Sequence, residues 1–326
     1  MERESGIMMN NITRICFVPM DLAACGWYRI RNAFNALYGH EGIAAALNPV
    51  ATFGRGSDFI YTQRVCKEGG FQVLKQLSDT GIKVVIDYDD DVWHELPSYN
   101  KALVHPKENY EGMKKYLDKV AYKVTCSTEF LKKQLSEFVP EDKIIVIPNC
   151  LDPRYWVRKF EPLGKGFLYA GSPTHYCKGD YGDFPKGLVD YLKDKMVRIQ
   201  GVKPDFINAS EIIPWTRIDY YHNSFLAAAQ KSAFILAPLK NNDFNRSKSD
   251  LKYIESCAAG RVCLVSDVET YSLAHPYQRI PLNVTPTTMK FIVERASNNY
   301  QEILNYQYKI LNSRWLRPDP YLELFK

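Results

Sequence analysis

The sequence predicts an α/β protein built on parallel sheets and long enough for two domains. Three observations predict it. Short apolar runs alternate with amphipathic helical stretches along most of the chain, as buried parallel strands and their covering helices do. The 326 residues are enough for two domains of ordinary size. The segment from Phe234 to Asp267 reads as strand, basic loop, helix, tight turn and strand.

Taken in order, Thr13–Pro19 forms a strand, and the loop Met20–Gly26 leads to a helix over Trp27–Tyr38 with Ile30, Phe34 and Leu37 on one face. Asp58–Arg64 is the next strand. Phe71–Thr80 is a helix stopped by Gly81, and Lys83–Asp87 is a buried strand running into Asp87-Tyr88-Asp89-Asp90-Asp91-Val92-Trp93. Tyr110–Tyr122 is helical, Lys123–Ser127 is a strand ending at a helix cap, Thr128–Phe138 is the helix, and Lys143–Asn149 is a strand closed by a Pro-Asn turn. Downstream, Gly166–Ala170 is a strand followed by the small turn Gly171–His175. Met196–Gln200 and Phe206–Asn208 are short strands, and Asn223–Lys231 is a helix. The stretch Asp180–Asp183 fits no element. Met289–Lys326 is helical and rich in Tyr, Leu and Trp, with Trp315 and Tyr321 as anchors.

The segment after Phe234–Leu239 carries the clearest chemistry. Ser249 is placed to cap a helix whose buried face is Leu251, Ile254 and Ala258, with Asp250 in its first turn and Gly260 at its end. The start of that helix points its N–H groups at the loop bearing Arg246 and Lys248, an arrangement that binds a diphosphate. Glu255, further along, is placed to accept hydrogen bonds from a ribose diol. The alternative is an ordinary αβ unit with surface lysines.

This segment resembles the nucleotide-binding part of GT-B glycosyltransferases, in the form Lys248-Ser249-x-x-Lys252-x-x-Glu255. Retaining members often carry a second glutamate eight positions earlier; Ser247 stands there. Val124-Thr125-Cys126-Ser127-Thr128 and Val146-Ile147-Pro148-Asn149-Cys150-Leu151-Asp152 resemble the end of the acceptor domain in the same enzymes, with Cys150 in place of a glycine. The Asp-rich strand end, Gly26-Trp27-Tyr28-Arg29 and the Gly171-Ser172-Pro173-Thr174-His175 loop resemble glycosyltransferase-like proteins of large phages, including those that glycosylate hydroxymethylcytosine in DNA.

The resemblance implies two Rossmann-like domains: an acceptor-side domain at 1–150, a nucleotide-sugar domain at 151–305, and a helical segment at 306–326 crossing back to the first. It implies a nucleoside-diphosphate sugar as co-substrate, a UDP-sugar favoured, with no bound cofactor and no metal. Donor contacts are then Gly26, Tyr28, Arg29, Gly171, Ser172, Thr174, His175, Arg246, Lys248, Ser249 and Glu255. Asp87, Asp89 and Asp90 face the acceptor as catalytic candidates, with a structural turn and a metal site as the competing readings of the cluster. The acceptor implied is hydroxymethylcytosine in double-stranded DNA, receiving glucose or arabinose. A glycan, lipid-linked or small-molecule acceptor, and a non-catalytic nucleotide-sugar-binding module, are the alternatives.

Composition is compatible with these readings and narrows others. The net charge of +5 permits an anionic partner without requiring one. No apolar run approaches the roughly 20 residues that span a bilayer, and Met1–Ser5 is polar, so a cytoplasmic protein is expected, in the host cell if phage-encoded. The eight cysteines form no C-x-x-C pair and read as buried thiols. A nucleotide-sugar epimerase or dehydrogenase needs Gly-x-Gly-x-x-Gly after its first strand, and Met20–Gly26 lacks it.

Overall fold

The computed structural model describes residues 12–21, 24–48, 56–100, 104–156, 164–214 and 218–325. The polar start, Leu22 and Ala23 of the first loop, and Lys326 lie outside them. Twelve described strands form two six-stranded sheets in which every pairing is parallel. The first holds β1 (Thr13–Val18), β2 (Ile43–Leu47), β3 (Phe59–Gln63), β4 (Lys83–Tyr88), β5 (Lys123–Cys126) and β6 (Ile144–Val146), in the order β2-β1-β3-β4-β5-β6. The second holds β7 (Phe167–Gly171), β8 (Val197–Gly201), β9 (Glu211–Ile213), β10 (Phe234–Ala237), β11 (Val262–Ser266) and β12 (Arg279–Ile280), in the order β12-β11-β10-β7-β8-β9.

The helices are α1 (Asn32–Leu37), α2 (Glu68–Ser78), α3 (Pro106–Val120), α4 (Glu129–Leu135), α5 (Lys186–Leu192), α6 (Ile218–Gln230), α7 (Asp243–Ser247), α8 (Leu251–Ala258), α9 (Pro286–Asn298), α10 (Tyr300–Asn312) and α11 (Asp319–Leu322). Each sheet carries an apolar cluster on both faces, which is why strands such as β3, β10 and β11 are buried at every position.

Several elements differ from the sequence expectation. The edge strand β2, mostly alanine, was not expected. Phe206–Asn208 forms no strand, and the neighbouring edge strand is β9 instead. The first helix opens with a π-helical turn, Gly26–Arg31, before α1. Gly26 has to be glycine there, since a Cβ would sit 2.0 Å from the Asp21 carbonyl oxygen. The α4 helix is capped by Thr128, whose Oγ1 accepts from Leu131 N–H, rather than by Ser127.

α10 is continuous across residues 305 and 306, with Leu304 and Tyr308 packed on the second sheet. The chain then crosses over, Leu151 pairing with Trp315. Tyr321, Leu324 and Phe325 end in the core of the first sheet with Phe17, Phe59 and Tyr61. The Phe325 ring lies 5.2 Å from that of Phe59 in an edge-to-face contact. Phe325→Ala is expected to lower the unfolding free energy by about 3 kcal/mol, read from urea denaturation; a change below 1 kcal/mol would show that the crossover contributes little.

Candidate active site

Ligands of open parallel sheets bind beyond the strand carboxyl ends where strand order reverses. That reversal falls between β1 and β3 in the first sheet and between β7 and β10 in the second. A cavity of about 240 Å³ lies where these two points face each other. The first domain lines it with Ala24, Cys25 and Tyr28 after β1, Asp89 and Asp90 after β4, and Asn149 after β6. The second contributes His175 after β7, Ala237-Pro238-Leu239 after β10, and Lys248, Ser249 and Lys252 around the start of α8.

The acidic cluster divides in two. Asp87 is fully buried within β4. Its Oδ2 accepts from Arg29 Nε at 2.9 Å, and its Oδ1 from Arg29 Nη2 at 2.7 Å and Thr125 Oγ1 at 2.6 Å. Arg29, only 2% exposed, donates further to the Ile147 carbonyl and to Asn149 Oδ1. Neither residue reaches the cavity. The expectations of Asp87 facing an acceptor and of Arg29 meeting a donor are therefore corrected: a charge in an apolar core is retained only with a close, fully bonded partner, and each is the other's. Asp91 is also buried and structural, accepting from the N–H groups of Trp93 and His94.

Asp89 and Asp90 do face the cavity. Arg64, held at a positive φ of 53° just after β3, donates to Asp89 at 2.5 Å and Asp90 at 2.9 Å. Lys248 stands 3.5 Å from Asp90 across the cleft and 4.4 Å over the Phe244 ring. The Cys25 thiol is pushed well up by burial and by the Asp89 charge, so it stays protonated.

The helix start differs from expectation in detail. The residue before α8 is Asp250, which makes no side-chain cap and pairs with Arg314 at 2.6 Å. Ser249, expected as the cap, accepts from Asn149 Nδ2 at 2.7 Å and joins the two domains. A short helix, α7, capped by Asn242, occupies the expected basic loop. It turns Arg246 away from the cavity, toward Asn241, Asp243 and a separate groove, so Arg246 does not line the cavity with Lys248. Ser247, at the position where retaining GT-B enzymes often carry a glutamate, is buried and accepts from Asp91 N–H.

Glu255 is 1% exposed and already accepts from three side chains. Tyr28 OH donates to it at 2.6 Å, Lys252 Nζ at 3.0 Å and Tyr221 OH at 3.2 Å. Burial pulls the Lys252 ammonium down, but the Glu255 charge, the Tyr221 hydroxyl and the hydrogen bonds to both together outweigh it and hold the group above its ordinary range. Tyr28 is pushed up, first by burial and then by Glu255, so it stays a donor. Tyr28 and Lys252 line the cavity and Glu255 does not. A ribose reaches this carboxylate only by displacing one of them.

Of the loop after β7, His175 lines the cavity. Gly171, Ser172 and Thr174 do not, the last two bonding to each other at 2.5 Å. Gly171 follows the close approach of the Tyr169 hydroxyl, where a Cβ would sit 2.1 Å away. Sequence reasoning left Arg64, Tyr99 and Asp183 unassigned. An Asp eight residues after a loop histidine was the one available sign of the last. Among the described residues, no three His, Cys, Asp or Glu side chains are grouped to hold a metal, and no helix is long and apolar enough to cross a membrane.

No family model and no curated protein matches the sequence. Solved structures do match. A glycosyltransferase from Rickettsia africae superposes with a TM-score of 0.60 at 12% identity, over 96% of each chain. Anabaena HepE in complex with UDP-glucose gives 0.61 at 9% identity, over 95% of this chain and 98% of that one. The lipopolysaccharide outer core galactosyltransferase WaaB gives 0.54 at 12%, over 96% and 98%. The chain has the GT-B fold: two parallel-sheet α/β domains with the cavity between them.

Proposed function

We propose that this chain is a glycosyltransferase that moves a sugar from a nucleoside-diphosphate donor, UDP-sugar favoured, to a hydroxyl of hydroxymethylcytosine in double-stranded DNA. One observation carries the transferase reading: Lys248, Lys252 and the uncapped start of α8 form a cationic wall facing the carboxylates of Asp89 and Asp90 in one cavity. The cationic wall takes the diphosphate and neutralises it as it leaves. Asp89 or Asp90, on the opposite domain, positions the acceptor hydroxyl and accepts its proton if the anomeric centre inverts. HepE, a fold neighbour, binds UDP-glucose, which supports the donor class.

The DNA acceptor is supported by the resemblance of Gly26–Arg29, Asp87–Trp93 and Gly171–His175 to phage proteins, and by the net charge of +5. The WaaB likeness favours a glycan acceptor as a second reading. To separate them, the protein is incubated with a panel of nucleotide sugars and either hydroxymethylcytosine DNA, unmodified DNA or a glycan. Nucleosides and glycans are then weighed by mass spectrometry. Hexose or pentose mass on hydroxymethylcytosine alone is expected. Mass on the glycan and none on DNA overturns the DNA acceptor. No nucleoside diphosphate released from any donor overturns the transferase.

A further inference from the structure

The loop after β7 builds a histidine–carboxylate pair that the reading above does not use. His175 Nδ1 lies 2.7 Å from Asp183 Oδ2, and Asp183 is 1% exposed. Its other oxygen accepts from Tyr99 OH at 2.6 Å, Asn245 Nδ2 at 2.7 Å and Lys240 N–H at 3.1 Å. Tyr99 belongs to the first domain, so this carboxylate is fully bonded only with the domains together. The turn is made for the pair: Asp183 N–H donates to the His175 carbonyl at 2.8 Å, and Gly182, at φ 58°, passes so close that a Cβ would sit 2.0 Å from that carbonyl oxygen. The unassigned stretch Asp180–Asp183 is thus the arm that orients an imidazole.

Burial opposes ionisation of Asp183, but the bonds from His175, Tyr99 and the Lys240 amide outweigh it and hold the carboxyl below its ordinary range. An ionised carboxylate only accepts, so Nδ1 carries a proton and Nε2 is the ring's working end. The charged groups sharing the cavity are Asp89 and Asp90 on the first domain and Lys248 and Lys252 on the second. Cys25, Tyr28, Tyr169 and Tyr271 share it too, and burial holds each of them protonated. His175 is the one imidazole in the described lining, and it comes from the same domain as Lys248 and Lys252.

We propose that His175, oriented by Asp183 and Tyr99, is a catalytic acid that protonates the departing phosphate. The inference rests on the transferase reading. The bond between the anomeric carbon and the β-phosphate oxygen breaks, and its electron pair stays on that oxygen, which takes the proton from Nε2. In the inverting reaction the acceptor oxygen bonds to the anomeric carbon and gives its proton to Asp89 or Asp90. After the nucleoside diphosphate leaves, Asp89 or Asp90 releases its proton to solvent and the imidazole takes one up, which closes the proton balance. Asp183 and Tyr99 are positioning residues.

The test measures kcat against pH, with donor affinity and thermal unfolding alongside, for wild type, His175→Gln, His175→Ala and Tyr99→Phe. His175→Gln is expected to lower kcat by about 10²–10⁴-fold with donor Kd within about threefold, and to erase the alkaline limb of the profile, which reports loss of the imidazolium proton. Added imidazole is expected to restore part of the His175→Ala activity. Tyr99→Phe, with the ring intact, is expected to lower kcat by about tenfold, the scale of one lost hydrogen bond, and keep the limb. A kcat within threefold of wild type in His175→Gln, or a loss that keeps the alkaline limb and ignores imidazole, overturns the acid. A wild-type chain that turns over no donor removes the transferase reading, and this inference with it.

Discussion

Arg29→Met is expected to lower the unfolding free energy by about 3–5 kcal/mol, the cost of stranding one partner of a buried ion pair. Asp87 would be left in a core of β-strands with only Thr125 and Tyr61 to bond it, and the Ile147 carbonyl and Asn149 amide oxygen would each lose a donor. Urea denaturation reads the effect as a lower midpoint with an unchanged slope. The double variant Arg29→Met, Asp87→Leu is expected to recover much of the loss, because an apolar pair of similar volume has no charge to desolvate. Asp90→Asn, in the half-open cleft, is expected to change stability by less than about 1 kcal/mol. Normal stability combined with lost donor affinity in Arg29→Met would return Arg29 to the donor site.

Lys248→Ala is expected to weaken donor binding about 10–100-fold, as loss of charge-assisted hydrogen bonds worth roughly 1.5–3 kcal/mol implies. Asp90 stands opposite this ammonium at 3.5 Å, and Glu255 holds Lys252 at 3.0 Å. The cavity's 240 Å³ is below the usual ligand-pocket range. Asp90→Asn removes a competitor and is expected to act in the opposite direction, tightening the donor a few-fold while slowing transfer. Titration calorimetry with the donor and with the free nucleoside diphosphate measures both. Equal affinity in wild type and Lys248→Ala would place the anion elsewhere.

Most strands were legible because a buried parallel strand is a compact apolar run bounded by polar turns, as Lys83–Asp87 and Phe234–Leu239 show. β2 was not, because Ile43–Leu47 is an exposed edge whose central alanines carry no strand preference. The helix at Leu251 and its Gly260 end were legible, with Gly260 at φ 65°. Its entry was misread by one residue, since Ser249 and Asp250 are equally good caps in isolation and contacts with Asn149 and Arg314 use both for other purposes. Within the run Asp87–Asp91, local sequence cannot tell which carboxylate is buried. That depends on Arg29, 58 positions earlier, and on β4 being covered on both faces. Asp183 escaped for the same reason in reverse: its partners Tyr99 and Asn245 are 84 and 62 residues away.

The crossover at Trp315–Phe325 has a consequence for synthesis. The nascent chain presents all six strands of its first sheet long before Tyr321, Leu324 and Phe325 arrive to cover them. Until then, Phe17, Phe59 and Tyr61 keep an uncovered apolar patch, a surface that invites chaperone capture or self-association on the ribosome. The earlier half is therefore completed second, and a fragment ending before Asp319 should be poorly soluble when expressed alone.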